Sequence, residues 1–104
     1  MTKTKLRLST RRWINKIKGS YQLELHHEQI LELAGSAWDR ALEAKEAVDT
    51  DGAFFNDRFG QTRSHPGIDV ELRSMTTYTR LMREIGLDLE PPNVKDSRPP
   101  RQYR

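Results

Sequence analysis

The chain has 104 residues, no cysteine and a formal net charge of +3, which allows one domain and excludes disulfide bridges and thiolate metal sites. Its mean hydropathy is −0.85, and its apolar runs are too short for a membrane-spanning helix or a secretory signal. We therefore expect a soluble, intracellular protein that has no membrane partner.

The charges are strongly segregated along the sequence. Residues 1–20 carry seven basic residues and no acidic residue, residues 21–92 carry 14 acidic against seven basic residues, and residues 93–104 carry four basic residues against one acidic residue. An acidic centre with basic ends is typical of a folded core whose arms bind a polyanion, although basic ends also serve as plain solubilising tails. The predicted DNA-binding residues are Lys3, Lys5, Arg7, Arg11, Arg12, Lys16, Lys18, Arg98, Arg101 and Arg104.

The first predicted element is a short helix. Residues 1–8 are expected to be a disordered basic arm, and the helix then runs from Ser9 or Thr10, whose hydroxyl groups suit a cap, to about Lys18. The apolar face of this helix favours packing on a core together with phosphate contact. A position on a membrane surface is the alternative, but that face is short for it. The apolar residues are Trp13, Ile14 and Ile17.

A second, longer helix is predicted over residues 28–48, after an extended connector at 21–25. At 100° per residue its small and large apolar side chains form two seams, together wider than one partner helix needs. We therefore expect a homo-oligomer in which another copy covers the surplus; the alternative is that the first helix and the hairpin cover it within one chain. The predicted interface residues on this helix are Ile30, Ala34, Ala37, Trp38, Ala41 and Leu42.

Residues 51–66 interrupt the helical pattern and predict a β-hairpin that sets how two long antiparallel helices meet. Strands are expected at 53–56 and 61–64, with Gly60 supplying a positive φ in the turn. At least one of the hairpin's phenylalanines is expected to anchor the core, since they cannot all face one way. These are Phe54, Phe55 and Phe59.

A third helix is predicted over residues 66–85, with His65 as its cap and Gly86 as its stop. The helical domain is expected to span residues 9–88, and residues 89–104 to form a tail rich in Pro and Arg, of which residues 93–104 are expected to be disordered or extended. The apolar stripe of this helix adds to the predicted oligomer interface Leu72, Met75 and Met82.

The sequence offers few groups for catalysis. His26 and His27 are adjacent, so their rings cannot share a metal ion from one helix face. His65 lies between a hairpin and a helix, as in ββα-metal nucleases, but no second His or Asn ligand follows on that helix. A glycine-rich phosphate loop is also absent from the sequence. We expect a protein that is not an enzyme and that has no metal site and no cofactor.

One set of landmarks stands out for its order and spacing, over about residues 10–88. It consists of Tyr21-x-Leu23, Leu33, Trp38-Asp39-Arg40, Asp51-Gly52, Gly60, His65-Pro66, Tyr78, Arg80-Leu81 and Gly86-Leu87. In this order and spacing the chain resembles the phage terminase small subunits, in the branch with a His-Pro before the last helix.

The resemblance implies a mainly α protein that assembles into a ring, binds double-stranded viral DNA and regulates the large ATPase–nuclease subunit of the packaging motor. It implies partners of three kinds, namely DNA, the terminase large subunit and further copies of the chain, in the cytoplasm of a phage's host. Two alternatives remain open: an oligomeric scaffold that contacts only protein, and, least favoured, a hairpin–helix metal nuclease.

Overall fold

The computed structural model describes residues 6–87 and 89–92, and these fold into three helices and one two-stranded antiparallel sheet. The predicted mainly α class is therefore confirmed, whereas the ring stays a prediction. The first five residues and residues 93–104 lie outside the described part, as do the predictions made for them. In chain order the elements are α1 (Leu8–Ser20), α2 (Leu25–Asp51), β1 (Phe54–Asn56), β2 (Thr62–Ser64) and α3 (Pro66–Ile85).

The two long helices, α2 and α3, form an antiparallel pair. At one end Gly67 lies so close to α2 that an added β-carbon would come within 2.9 Å of Val48 Cγ2 and 3.2 Å of the Ala44 carbonyl oxygen. Further along, the rings of Trp38 and Tyr78 pack with their centroids 5.0 Å apart. The bounds of α3 are those predicted, while α2 extends about one turn beyond residues 28–48 at each end.

The short helix α1 crosses the first half of α2 at Gly35. A β-carbon there would lie 2.9 Å from Thr10 Cγ2 and 3.1 Å from Ile14 Cδ1, so the two backbones approach closely. The expectation that Ser9 or Thr10 caps α1 is wrong. The helix starts earlier, with Arg7 as its N-cap residue, because Thr10 is buried and its hydroxyl donates to Asp39 of α2.

The core lies where α1 packs on the α2–α3 pair, at the end away from the hairpin. Leu87 and Leu89, after α3, fold back onto this core, as expected for an apolar residue that follows a Gly-terminated helix. Gly86 ends α3 with a positive φ of 74°. The buried apolar residues of the cluster are Trp13, Ile14, Ile17, Leu31, Ala34, Tyr78 and Ile85.

The hairpin forms as predicted, but it does not reach the core. Its strands pair antiparallel with Phe55 opposite Arg63, and Gly60 has a φ of 81° in the turn. The prediction that a phenylalanine anchors the core is wrong, since all three are exposed, Phe59 at 77%. The hairpin lies too far from the core to reach it, because α1 completes the core at the opposite end of the helix pair. Both faces of the short strands are therefore exposed to solvent.

The close crossing at Gly35 predicts a sharp cost for any added side chain. Gly35→Val is expected to lower the free energy of unfolding by about 1–3 kcal/mol, because the new atoms would force α1 off α2. Gly19→Ala in α1 is the control, since a β-carbon there meets nothing within 4 Å. Urea denaturation followed by circular dichroism measures both, and equal stability of the two variants would contradict the crossing.

Candidate nucleic-acid interface

Helix α1 turns Trp13, Ile14 and Ile17 into the core and three cations outward. Arg11, Arg12 and Lys16 are exposed. Within residues 6–87 and 89–92, none of the three belongs to an ion pair. Their charges are therefore available to an external anion, which the sequence predicted for all three.

Arg7 has an intramolecular partner. Its two terminal nitrogens donate to the two carboxylate oxygens of Glu46, both at 2.9 Å. The hydrogen bond from Arg7 lowers the pKa of the Glu46 carboxyl, and the same bond raises the pKa of Arg7. A phosphate at Arg7 would therefore have to compete with a bidentate carboxylate.

Lys18 also has a partner on α2, because its ammonium lies 3.5 Å from a carboxylate oxygen of Glu32. This pair and the Arg7–Glu46 pair lie near the two ends of α1, on the flank that faces α2. The predicted DNA-binding residues of the described part thus divide into three open cations and two paired ones. The remaining five lie outside the described residues: Lys3, Lys5, Arg98, Arg101 and Arg104.

Asp39 determines where α1 begins, and the sequence alone did not predict this contact. Its carboxylate accepts a hydrogen bond from the backbone N–H of Arg7 at 2.8 Å and another from the Thr10 hydroxyl. A carboxylate at the amino end of a helix is favourable because the free N–H groups there carry partial positive charge. No local pattern predicts this contact, since Asp39 is 32 residues from Arg7 in the sequence.

Most of the residues predicted to form the oligomer interface are buried or half-buried within the chain itself. Ala34 and Ala41 are buried there, so a second copy could touch them only if the helices separated. Leu72 is different, being 65% exposed. The remaining predicted interface residues are half-buried: Ile30, Ala37, Trp38, Leu42, Met75 and Met82.

Five exposed apolar side chains, here named together the hairpin patch, lie at the far end of the helix pair. They are the hairpin phenylalanines, of which the adjacent Phe54 and Phe55 point to opposite faces of β1, and two residues one turn apart at the start of α3, Ile68 and Leu72. The sequence predicted the α3 stripe as an interface but placed the phenylalanines partly in the core. The patch consists of Phe54, Phe55, Phe59, Ile68 and Leu72.

His65 caps α3 as predicted, and both of its ring nitrogens have protein partners. Nδ1 accepts a hydrogen bond from the backbone N–H of Gly67 at 2.8 Å, and Nε2 lies 2.9 Å from a carboxylate oxygen of Asp51. Among the described residues no group of three His, Cys, Asp or Glu side chains is placed to hold a metal ion. The predictions of no metal site, no cofactor and no catalysis stay predictions.

Comparisons with protein-family models, with curated proteins and with solved structures gave no significant match. Among the helices of the described part, none combines the length and the apolar character that crossing a membrane requires. The resemblance to terminase small subunits therefore depends on the sequence landmarks alone.

The position of Asp39 predicts that it stabilises α1. Asp39→Ala is expected to lower the free energy of unfolding by about 1–3 kcal/mol, because the buried Thr10 hydroxyl and the Arg7 N–H lose their acceptor. Asp49→Ala on the same helix is the matched control, since it removes an exposed ion pair with Lys45 worth about 0.3–0.5 kcal/mol. Urea denaturation compares the variants, and similar losses would contradict the role of Asp39.

Proposed function

We propose that this protein is the non-catalytic small subunit of a phage terminase. In this role it is an oligomeric adaptor, a ring of identical chains, that binds double-stranded viral DNA and regulates the large ATPase–nuclease subunit during genome packaging. It works in the cytoplasm of the phage's host. The observation that carries the proposal is the outward face of α1, where Arg11, Arg12 and Lys16 are exposed and unpaired within the described residues.

The charge pattern of α1 supports a polyanion as the ligand. Acidic side chains are absent from the first twenty residues, so neighbouring carboxylates within this segment do not neutralise its cations. Long flexible cations bind phosphates through charge and fix register on a duplex, without reading bases. The proposal is accordingly for contact with the DNA backbone.

The hairpin patch supports self-association. Large apolar side chains that cluster on a surface are typical of protein–protein contacts, and Phe54, Phe59 and Leu72 are each more than 60% exposed. A projecting hairpin that docks on a different surface of the next copy forms a head-to-tail contact, and such contacts generate rings when they close. We therefore propose that the contact between copies forms at the hairpin end rather than on the alanine seam.

A second candidate function is an oligomeric scaffold that contacts only protein, and the same patch favours it. The two functions predict different results with duplex DNA. A terminase small subunit binds it with an affinity that falls steeply as salt rises, whereas the scaffold does not bind it. The metal nuclease is the least favoured reading, because the ring nitrogens of His65 are both engaged, with Gly67 and Asp51.

Binding to a short duplex is expected to weaken steeply as salt rises. With roughly 4–6 phosphate contacts, log K should fall against log salt with a slope of about −4 to −5, because each neutralised phosphate releases counterions. Replacing Arg11 and Arg12 together by Ala should reduce the size of this slope by about 2. Fluorescence anisotropy over a salt series measures it.

The control for this titration removes the same charge from another helix. Arg80 and Arg83 of α3 are exposed, and their double replacement by Ala should leave the slope unchanged. If instead the α3 variant loses the slope and the α1 variant keeps it, the DNA contact lies on α3. If the unmodified chain does not bind duplex DNA at all, the scaffold is the better reading.

The oligomer is expected to depend on the hairpin patch. Light scattering at micromolar concentration should give a multiple of the chain mass of 12.2 kDa. Leu72→Glu should shift the mass toward the monomer without unfolding the chain, because the side chain is exposed and an unpaired carboxylate is costly to bury between copies. Leu33→Glu on α2, at a position 58% exposed and outside the patch, is the matched control. A monomeric unmodified chain would refute self-association.

A further inference from the structure

We infer that the turn of the hairpin in one copy docks on the start of α2 in the next copy. The inference depends on the self-association proposed above and adds the surface that receives the hairpin, here named the connector surface. On the hairpin side the contacting residues are Arg58 and Phe59. The connector surface consists of Tyr21, Glu24 and Leu25.

The two most exposed large apolar side chains of the described part lie at opposite ends of α2. Phe59, in the turn of the hairpin that follows α2, is 77% exposed, and Leu25, the first residue of α2, is 72% exposed. Tyr21, in the connector that precedes α2, adds a side chain that is 40% exposed. Both ends of the domain therefore present apolar surface to solvent.

The charges beside these two apolar sites are opposite. The Arg58 guanidinium lies 5.5 Å from the centroid of the Phe59 ring. Within residues 6–87 and 89–92, Arg58 belongs to no ion pair. At the other end the Glu24 side chain is 75% exposed, and it lies 3.6 Å from the His26 ring, which is charged only if protonated.

This charge pattern distinguishes the two ways in which copies could meet. A contact between two hairpin turns would bring two Arg58 side chains together, and like charges at an interface are unfavourable. A contact between the turn and the connector surface brings Arg58 to Glu24 and the Phe59 ring to apolar side chains. Charge complementarity therefore favours the docking of unlike ends.

The shape of the turn is set within the hairpin itself. The Asp57 carboxylate accepts hydrogen bonds from the backbone N–H groups of Phe59 and Gln61, both at 2.9 Å. It also accepts one from Arg63 Nε at 2.7 Å, which balances its charge. Arg58 is therefore the net charge of the turn, and a turn that is already ordered loses little conformational entropy on docking.

The two surfaces are too far apart to meet within one chain. Helix α2 has 27 residues and is about 40 Å long, with the connector surface at its start and the hairpin after its end. A contact between them therefore joins two copies, and each copy can bind two neighbours at once. Repetition of such a head-to-tail contact gives a ring if it closes and a filament if it does not.

The test mixes two variants that each lack one surface. Phe59→Ser removes the apolar side chain of the turn, and Leu25→Ser removes that of the connector surface. Each variant alone should be a monomer at a concentration at which the unmodified chain is assembled. An equimolar mixture should give a complex of two chains, because the intact turn of one variant docks on the intact connector surface of the other. Light scattering should then show twice the chain mass of 12.2 kDa.

The matched control for Leu25→Ser is Leu33→Ser, at a leucine of the same helix that is 58% exposed and about two turns further on. This variant should assemble as the unmodified chain does. Circular dichroism checks that every variant keeps its helices. If the mixture stays monomeric, or if Leu25→Ser assembles as well as the unmodified chain, the inference is wrong.

A charge exchange tests the pairing of Arg58 with Glu24. Arg58→Glu and Glu24→Arg, each made alone, place like charges opposite each other and should weaken association about tenfold. Both changes in one chain should restore association to within about threefold of the unmodified chain. Arg40→Glu, at an exposed position near the middle of α2, makes the same charge change and should have no effect. A double variant that stays as weak as the single ones would overturn the pairing.

The state of the unmodified chain separates this inference from the proposals on which it depends. An assembled unmodified chain whose two variants fail to complement each other refutes the docking of unlike ends and leaves self-association in place. A monomeric unmodified chain refutes both. Binding of duplex DNA, which is proposed for α1, is measured separately by fluorescence anisotropy, so its failure refutes the proposed function and not the contact between copies.

Discussion

The contact between the Asp39 carboxylate and the start of α1 is the interaction on which the arrangement of the surface depends. A helix of 13 residues is marginal on its own in water, so α1 needs tertiary contacts to exist in one place. The Asp39 carboxylate binds its first turn, and the close approach at Gly35 sets where it crosses α2. On its other side, the indole N–H of Trp13 donates to the backbone carbonyl oxygen of Glu90, in the segment that follows α3. Without these contacts the cations of α1 would belong to an unordered arm.

The same helix meets two physical demands with its two faces. Its apolar side chains complete a core that the α2–α3 pair cannot close alone, and its outward cations remain unpaired among the described residues. In the part of the chain that the structure describes, the carboxylates of α2 pair with cations near the two ends of α1, where Glu46 meets Arg7 and Glu32 meets Lys18. These pairs anchor the helix, and the middle of its outer face keeps its positive charge.

Local sequence signals predicted the elements well, and long-range contacts account for what they missed. Pro66 and Gly86 fix the ends of α3, and Gly60 fixes the turn of the hairpin, because each acts on its own backbone. By contrast, the start of α1 and the anchoring of Glu90 depend on partners far away in the chain. The wide apolar arcs of α2 and α3 were recognised correctly, but periodicity alone does not say whether a neighbouring copy or α1 covers them.

The hydrogen bonds of His65 connect the end of α2 to the start of α3, so this connection does not depend on the hairpin between the two helices. Its Nδ1 accepts a hydrogen bond from the Gly67 N–H and its Nε2 lies against the Asp51 carboxylate, so the end of α2 and the start of α3 are tied together below the hairpin. The strands and turn beyond this tie contribute nothing to the core. A change in the length or sequence of the hairpin is therefore expected to alter the surface that it presents while leaving the packing of the helical body unchanged.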